Sequence, residues 1–191
     1  MQKTTFFSGL ALASTLLLAA LPAQAQQQLV PAQSSVEFTA KQMGVPLQGH
    51  FKKFDAQVAF DPAKLAASRI RFTVDTGSAT MGARETDAEL PKAPWFNVPQ
   101  FPQATFESSA IKALGGGKFD VAGKLTIKGT AVNVSVPVAL VQSGATTTAT
   151  GVLPLKRLAF KIGDGEWADT SMVADEVQVK FKLALTGVGK L

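Results

Sequence analysis

The chain has 191 residues, 46% of them hydrophobic, with 19 Lys and Arg against 14 Asp and Glu for a formal net charge of +5. The basic residues are scattered rather than gathered into a stripe with aromatics, which excludes the footprint of a nucleic-acid binder. There is no cysteine and only one histidine, so thiol catalysis, disulfides and thiolate metal sites are removed, and zinc or haem lacks a ligand set.

Residues 1–25 read as a secretory signal peptide. Lys3 gives a minimal positive region, Leu10 to Leu21 an apolar core, and Ala23-Gln24-Ala25 a small-x-small cleavage pattern preceded by Pro22. The sequence thus predicts export, a periplasmic location in a bacterial setting, and one folded domain over residues 26–191. No later segment is long and apolar enough to be a membrane-spanning helix.

Along that domain, apolar residues alternate with others at the period of a half-buried strand. The pattern appears at Val36-Phe38-Ala40, Phe54-Ala56-Val58-Phe60 and Ile70-Phe72-Val74. It resumes at Ala104-Phe106, Phe119-Val121-Gly123-Leu125-Ile127 and Val132-Val134-Val136-Val138-Leu140. A weaker strand is expected between Ser143 and Leu155, followed by Leu158-Phe160-Ile162 and Val177-Val179-Phe181-Leu183-Leu185. Two segments break the rule. Asp61 to Ala67, with proline after a capping aspartate, predicts a short helix, and Arg84 to Leu90 predicts another that stops at Pro91. From Pro91 to Pro102 four prolines and three aromatics exclude a central strand and predict a shaped excursion across the body of the fold.

Eight or nine short strands without βαβ spacing predict an all-β protein, a sandwich or a closed antiparallel barrel of about eight strands with one or two short helices. An outer-membrane barrel would place apolar residues outward with aromatic girdles. This chain has no tyrosine and puts Lys124, Lys128, Lys180 and Lys182 on the other face of its strands, so the apolar face is predicted to turn inward.

Catalysis finds little support. His50 reads as a structural residue near a strand start, and no nucleophile-elbow pattern is present. Asp164, Glu166 and Asp169 lack the spacing of a calcium loop and read as a solvated turn.

Five segments in order carry a resemblance: Ser35-Val36-Glu37-Phe38, Gly49-His50-Phe51-Lys52-Lys53-Phe54, Phe101-Pro102-Gln103-Ala104-Thr105-Phe106, Gly123-Lys124-Leu125-Thr126-Ile127-Lys128-Gly129 and Val136-Pro137-Val138. With Arg84-Glu85-Thr86-Asp87-Ala88-Glu89-Leu90 ahead of the aromatic excursion, the chain resembles the YceI-like, polyisoprenoid-binding family. The resemblance implies an extended lipocalin-like barrel around a long apolar pore, no cofactor, and an isoprenoid, quinone-like or other long-chain amphiphile as ligand. Lys92-Ala93-Pro94-Trp95-Phe96 and the loop Gly163 to Asp169 are similar to a subgroup found beside or fused to a b561-type membrane cytochrome. That likeness implies an alternative role as an accessory to a membrane redox partner.

The residues support a pore independently. Eleven of the 13 phenylalanines lie beyond residue 25, and Phe38, Phe54, Phe60, Phe72, Phe106, Phe119, Phe160 and Phe181 share the apolar parity of their predicted strands. Each fills a core or lines a channel on this evidence. Trp95, Phe96 and Trp167 are expected to shield the mouth, with Arg84, Asp87 and Lys92 beside a polar head group; a surface pairing of Arg84 with Asp87 is the alternative. An exposed apolar loop around Trp95 would also suit a homodimer contact. The expectation is a binding protein, not an enzyme.

Overall fold

The structure, a computed structural model, describes residues 27–191; the expected signal peptide lies outside the described residues. Eleven strands run antiparallel in one sheet. They are β1 (Gln28–Leu29), β2 (Ser35–Gln42), β3 (Val45–Phe51), β4 (Phe54–Ala59), β5 (Arg69–Asp75), β6 (Ala79–Thr80), β7 (Gln103–Gly115), β8 (Lys118–Ile127), β9 (Thr130–Ser143), β10 (Thr146–Lys156) and β11 (Glu176–Thr186). The order is β4-β5-β7-β8-β9-β10-β11-β2-β3-β6, with β1 added beside β11.

The sheet curls into a lipocalin-like half-barrel, in keeping with the predicted all-β class. Its ladder does not run full circle, and the seam is crossed by a side chain. The Gln27 amide donates to the Phe60 carbonyl at 2.7 Å and accepts from the Phe60 N–H at 2.9 Å, linking the chain before β1 to the end of β4. Two backbone groups at an otherwise open edge are thereby satisfied.

The long strands follow their sequence pattern. On β11, Val177, Val179, Phe181 and Leu183 face inward while Gln178, Lys180 and Lys182 are exposed. Pro137 is exposed on β9, as its parity predicts. Three strands escape the pattern. β1 and β6 have two residues each, and β3 is interrupted by Pro46 and Gly49, leaving only Leu47 and Phe51 as large inward markers. His50 lies near the end of β3, not at a strand start, exposed and opposite Glu37 on β2.

The expected strand at Leu158-Phe160-Ile162 is a correction. Arg157–Phe160 form a 3-10 turn closed by Lys161 in the left-handed region (φ 57°). Alternate residues are still buried, Phe160 to 2% exposure, but the chain coils because Arg157 requires it, as described below. The expected helix at Asp61 to Ala67 shrinks to the 3-10 turn Leu65–Ala67; Asp61 accepts from the Ala63 N–H, and Ser68 Oγ accepts from the Asp61 N–H, so the segment folds as a pinned loop. The second expected helix is present as α1 (Arg84–Glu89).

Candidate lipid-binding cavity

Along β11 the inward residues Val177, Val179, Phe181 and Leu183 are only half-buried, although they face the middle of the barrel. A filled core would bury them. The surface they retain borders a cavity of about 530 Å³ that all four line together with Leu185. Eight residue steps separate Val177 from Leu185, so at ~3.3 Å per residue the cavity follows β11 for about 26 Å. That volume over that length is the shape of a chain rather than of a compact molecule, within the usual range of ligand pockets.

One end is closed by Phe60, Phe119 and Val121, with the Phe60 and Phe119 rings edge to face at 5.3 Å. Val188 packs there too, and its carbonyl accepts from the Gln142 side chain at 3.3 Å. At the other end the excursion from Pro91 to Pro102 meets the segment that follows β10. The Gly163 N–H donates to the Pro94 carbonyl at 2.8 Å, and the Trp95 and Trp167 rings lie 5.5 Å apart. Both tryptophans turn toward the cavity, so the expected exposed apolar loop around Trp95 is not what forms.

Two cations hold this cap. Lys128, expected on the solvent face, has a side chain only 8% exposed; its ammonium donates to the Lys161 carbonyl at 2.5 Å and the Pro94 carbonyl at 3.2 Å, with Asp164 Oδ2 at 3.7 Å. One amine thus ties both cap segments to the turn between β8 and β9. Arg157 is 2% exposed and donates to five carbonyls: Ala174 at 3.1 Å, Ile162 at 2.9 Å, Trp167 and Val173 at 2.7 Å each, and Gly163. Burial pulls its pKa down from the ordinary guanidinium value, and the nearby Asp175 carboxylate opposes that shift. The chain bends around the guanidinium because only a coiled path brings five carbonyls to one planar fork. Asp169 closes the adjoining turn by accepting from the Ser171 N–H and hydroxyl at 2.8 and 2.7 Å; the hydroxyl and the N–H of Ser171 hold its carboxylate below the usual range.

Of the residues singled out from sequence, Phe38, Phe72, Phe106, Phe119, Phe181, Trp95, Phe96 and Trp167 line the cavity. Four do not. Phe54 packs at a tilt against Phe72 at 5.9 Å outside the lining, because β4 begins there at the sheet's edge. Phe160 is packed solid with Ile127 and Ile162 beneath the cap, because the 3-10 turn points it away from the lumen. Arg84 is exposed on α1, and Lys92 pairs with Glu89 at 2.5 Å.

Asp87 neither pairs with Arg84 nor enters the cavity. Its carboxylate accepts from the Thr80 hydroxyl at 2.5 Å and the Met81 N–H at 2.6 Å, pinning α1 to β6. Those two bonds, in that order, hold its pKa below the ordinary carboxylate value, with Lys52 and His50 adding attraction and partial burial opposing. A depressed carboxylate contributes stability that is present above its unfolded pKa and lost as pH falls through its folded value. The Met81 amide is therefore expected to exchange faster with solvent as pH drops below about 4, after correction for intrinsic exchange rates. In Asp87→Asn that acid transition should vanish from the Met81 amide; an unchanged transition would assign it elsewhere.

The polar lining sits mainly at one rim. Lys41 and Gln42 end β2, and Glu85, Thr86 and Glu89 come from α1. Thr147, fully buried deep in the barrel, already accepts from the Gln142 amide at 3.2 Å. Sequence reasoning chose the wrong face of α1; acidic Glu85 and Glu89 carried no signal that would separate a rim from a solvated helix. Phe51, at a strand end between His50 and Lys52, was also missed, though it lines the cavity and packs at a tilt on Phe38 (5.3 Å) and edge to face with Phe96 (5.9 Å).

A curled antiparallel sheet holding a long apolar cavity with polar groups gathered at one rim defines a lipocalin-like small-molecule binding fold. The chain belongs to the YceI-like domain family, whose pattern matches residues 27–185. It is 30% identical to a UPF0312 protein of Vibrio parahaemolyticus over 75% of this chain and 77% of that one. Among solved structures it is similar to Burkholderia cenocepacia BcnA, with 52% identity, a TM-score of 0.79, and coverage of 82% of this chain and 98% of that one. A polyisoprenoid binding domain from Saccharophagus degradans, implicated in plant cell wall breakdown, shares the fold at 15% identity and a TM-score of 0.67, covering 84% of this chain and 98% of that one.

Proposed function

We propose that the protein is an exported, non-enzymatic carrier that sequesters one isoprenoid, quinone-like or similar long-chain amphiphile in the barrel. The observation that carries this reading is the cavity itself, long, narrow and almost wholly apolar, with polar side chains concentrated at the α1 rim. A methylene removed from water contributes about 0.8 kcal/mol, so one five-carbon isoprene unit is worth about 3 kcal/mol before ordering costs. Several units therefore bind tightly without a strong polar anchor. The head group would sit by Gln42, Glu85 and Thr86, where a hydroxyl or carbonyl can hydrogen-bond and remain near water. The polyisoprenoid binding of the Saccharophagus domain supports this class of ligand by fold. The features of residues 1–25 support a periplasmic location.

Native mass spectrometry of protein purified from its own periplasm, followed by lipid extraction, tests the proposal. One bound long-chain lipid per protein is expected. Protein that is consistently empty, and that takes up neither polyprenols nor quinones in vitro, would sink it. A pull-down of a membrane redox partner that survives blocking of the cavity would instead favour the accessory role.

A further inference from the structure

Three phenylalanines of the cavity wall lie directly over glycines of a neighbouring strand. A Cβ built on Gly49 would come within 2.8 Å of three ring atoms of Phe38, its cross-strand partner. One on Gly123 would lie 2.5 Å from Phe106 Cζ, and one on Gly151 would lie 2.8 Å from Phe181 Cε1, again the cross-strand partner. All three rings line the cavity, while the glycines beneath them do not. Each ring has a strand behind it and the lumen in front, so its only free direction is inward. Glycine here serves close approach by an aromatic ring, not a special backbone angle.

We propose that these Phe–Gly pairs set the bore of the cavity, and that Gly49 in particular determines which chain lengths the protein accepts. The inference rests on the carrier reading above. Phe38 stands four residues from the rim residue Gln42, about 13 Å along β2. Past it, the wall from Val179 to Leu185 continues for about 20 Å. With Phe38 laid back on Gly49, a chain entering at the rim passes into that deeper segment. With the ring pushed inward, only the outer segment remains open to it. Gly49 is the informative position because its nearest obstacles are ring atoms, whereas a Cβ on Gly123 or Gly151 also meets the carbonyl oxygen of Glu107 or Pro137.

The test is the ratio of affinities for a long and a short prenol, solanesol and farnesol, measured on the whole exported domain. Gly49→Ala is expected to lower the solanesol-to-farnesol ratio by at least about tenfold, since the deep isoprene units lose their burial. Adding Phe38→Leu to that variant should bring the ratio back toward the wild-type value. Should Gly49→Ala fail to fold, Phe38→Trp in the otherwise unaltered chain puts a ring too large to lie back at the same level, and the same fall is expected. An unchanged ratio in the variant that folds, or no recovery in the double variant, would overturn the assignment. If the wild-type protein bound neither prenol, the chain-length assignment would fall with them, and the carrier reading would fail as well if a long-chain quinone were also refused.

Discussion

Replacing Arg157 with methionine is expected to lower stability by about 3–5 kcal/mol, because several buried carbonyls lose their donor at once. Methionine fills much of the same volume, so the loss is not chiefly a cavity effect. It comes from five carbonyls, those of Ile162, Gly163, Trp167, Val173 and Ala174, that share one guanidinium. An unmet buried carbonyl costs roughly 1–3 kcal/mol, but a loop can turn some of them to water, so the total stays below the sum. Arg157→Lys should retain most of the damage, because an ammonium on a flexible stem cannot present the planar fork. Urea unfolding gives the magnitude, and hydrogen exchange shows where it falls. The amides from Ile162 to Ala174 should lose protection while those of β8 and β9 keep theirs in conditions far from global unfolding. A loss under about 1 kcal/mol would mean that the guanidinium is a bystander.

The second large effect is on binding. Ala149 is a small inward residue on β10, opposite Leu140 on β9 and Leu183 on β11, and all three line the cavity. Ala149→Trp would fill that level with an indole. Displacing about one isoprene unit removes roughly 3 kcal/mol of burial, so affinity for a long prenol should fall by about 100-fold. In a packed core the same change would cost about 1–3 kcal/mol of stability by overpacking. In a barrel with space at that level, the unfolding midpoint should hold or rise. The two readouts together separate the cases: weakened binding with kept stability places the ligand in the barrel, whereas lost stability with kept binding would mean that Ala149 faces solid packing.

The valine alternation on β9 shows how much of this was legible from sequence. Period two fixed which side of the strand turns inward, and Val132, Val134, Val136, Val138 and Leu140 are all buried or half-buried while Asn133, Ser135 and Pro137 are exposed. Period two says nothing about what lies beyond that face. Val136, Val138 and Leu140 line the cavity, but Val132 packs against the Ile127, Phe160 and Ile162 cluster under the cap. The difference depends on the level each residue occupies along the barrel, which strand register and curl decide.

Local chemistry was most legible where one residue type dictates backbone shape, as at the prolines from Pro91 to Pro102 and at α1. It failed where a single long side chain reorganises a loop. Lys128 looked like one more solvent-facing base and Arg157 carried no signal at all, since their partners are backbone carbonyls that any sequence supplies. Asp87 looked like a ligand contact or a surface pair because its true partner, Thr80, sits on a two-residue strand without a pattern of its own.

In the proposed carrier a lipid chain runs inside the barrel along the inward face of β11. Intermolecular NOEs between the methyl groups of a bound isotope-labelled polyprenol and the protein test it most directly. Contacts are expected to Val179, Phe181 and Leu183 from successive isoprene units of one molecule, with head-group contacts near Gln42 and Thr86. Contacts confined to exposed residues such as Met43, Val45 and Met172, with the β11 methyl groups unchanged on saturation, would contradict it.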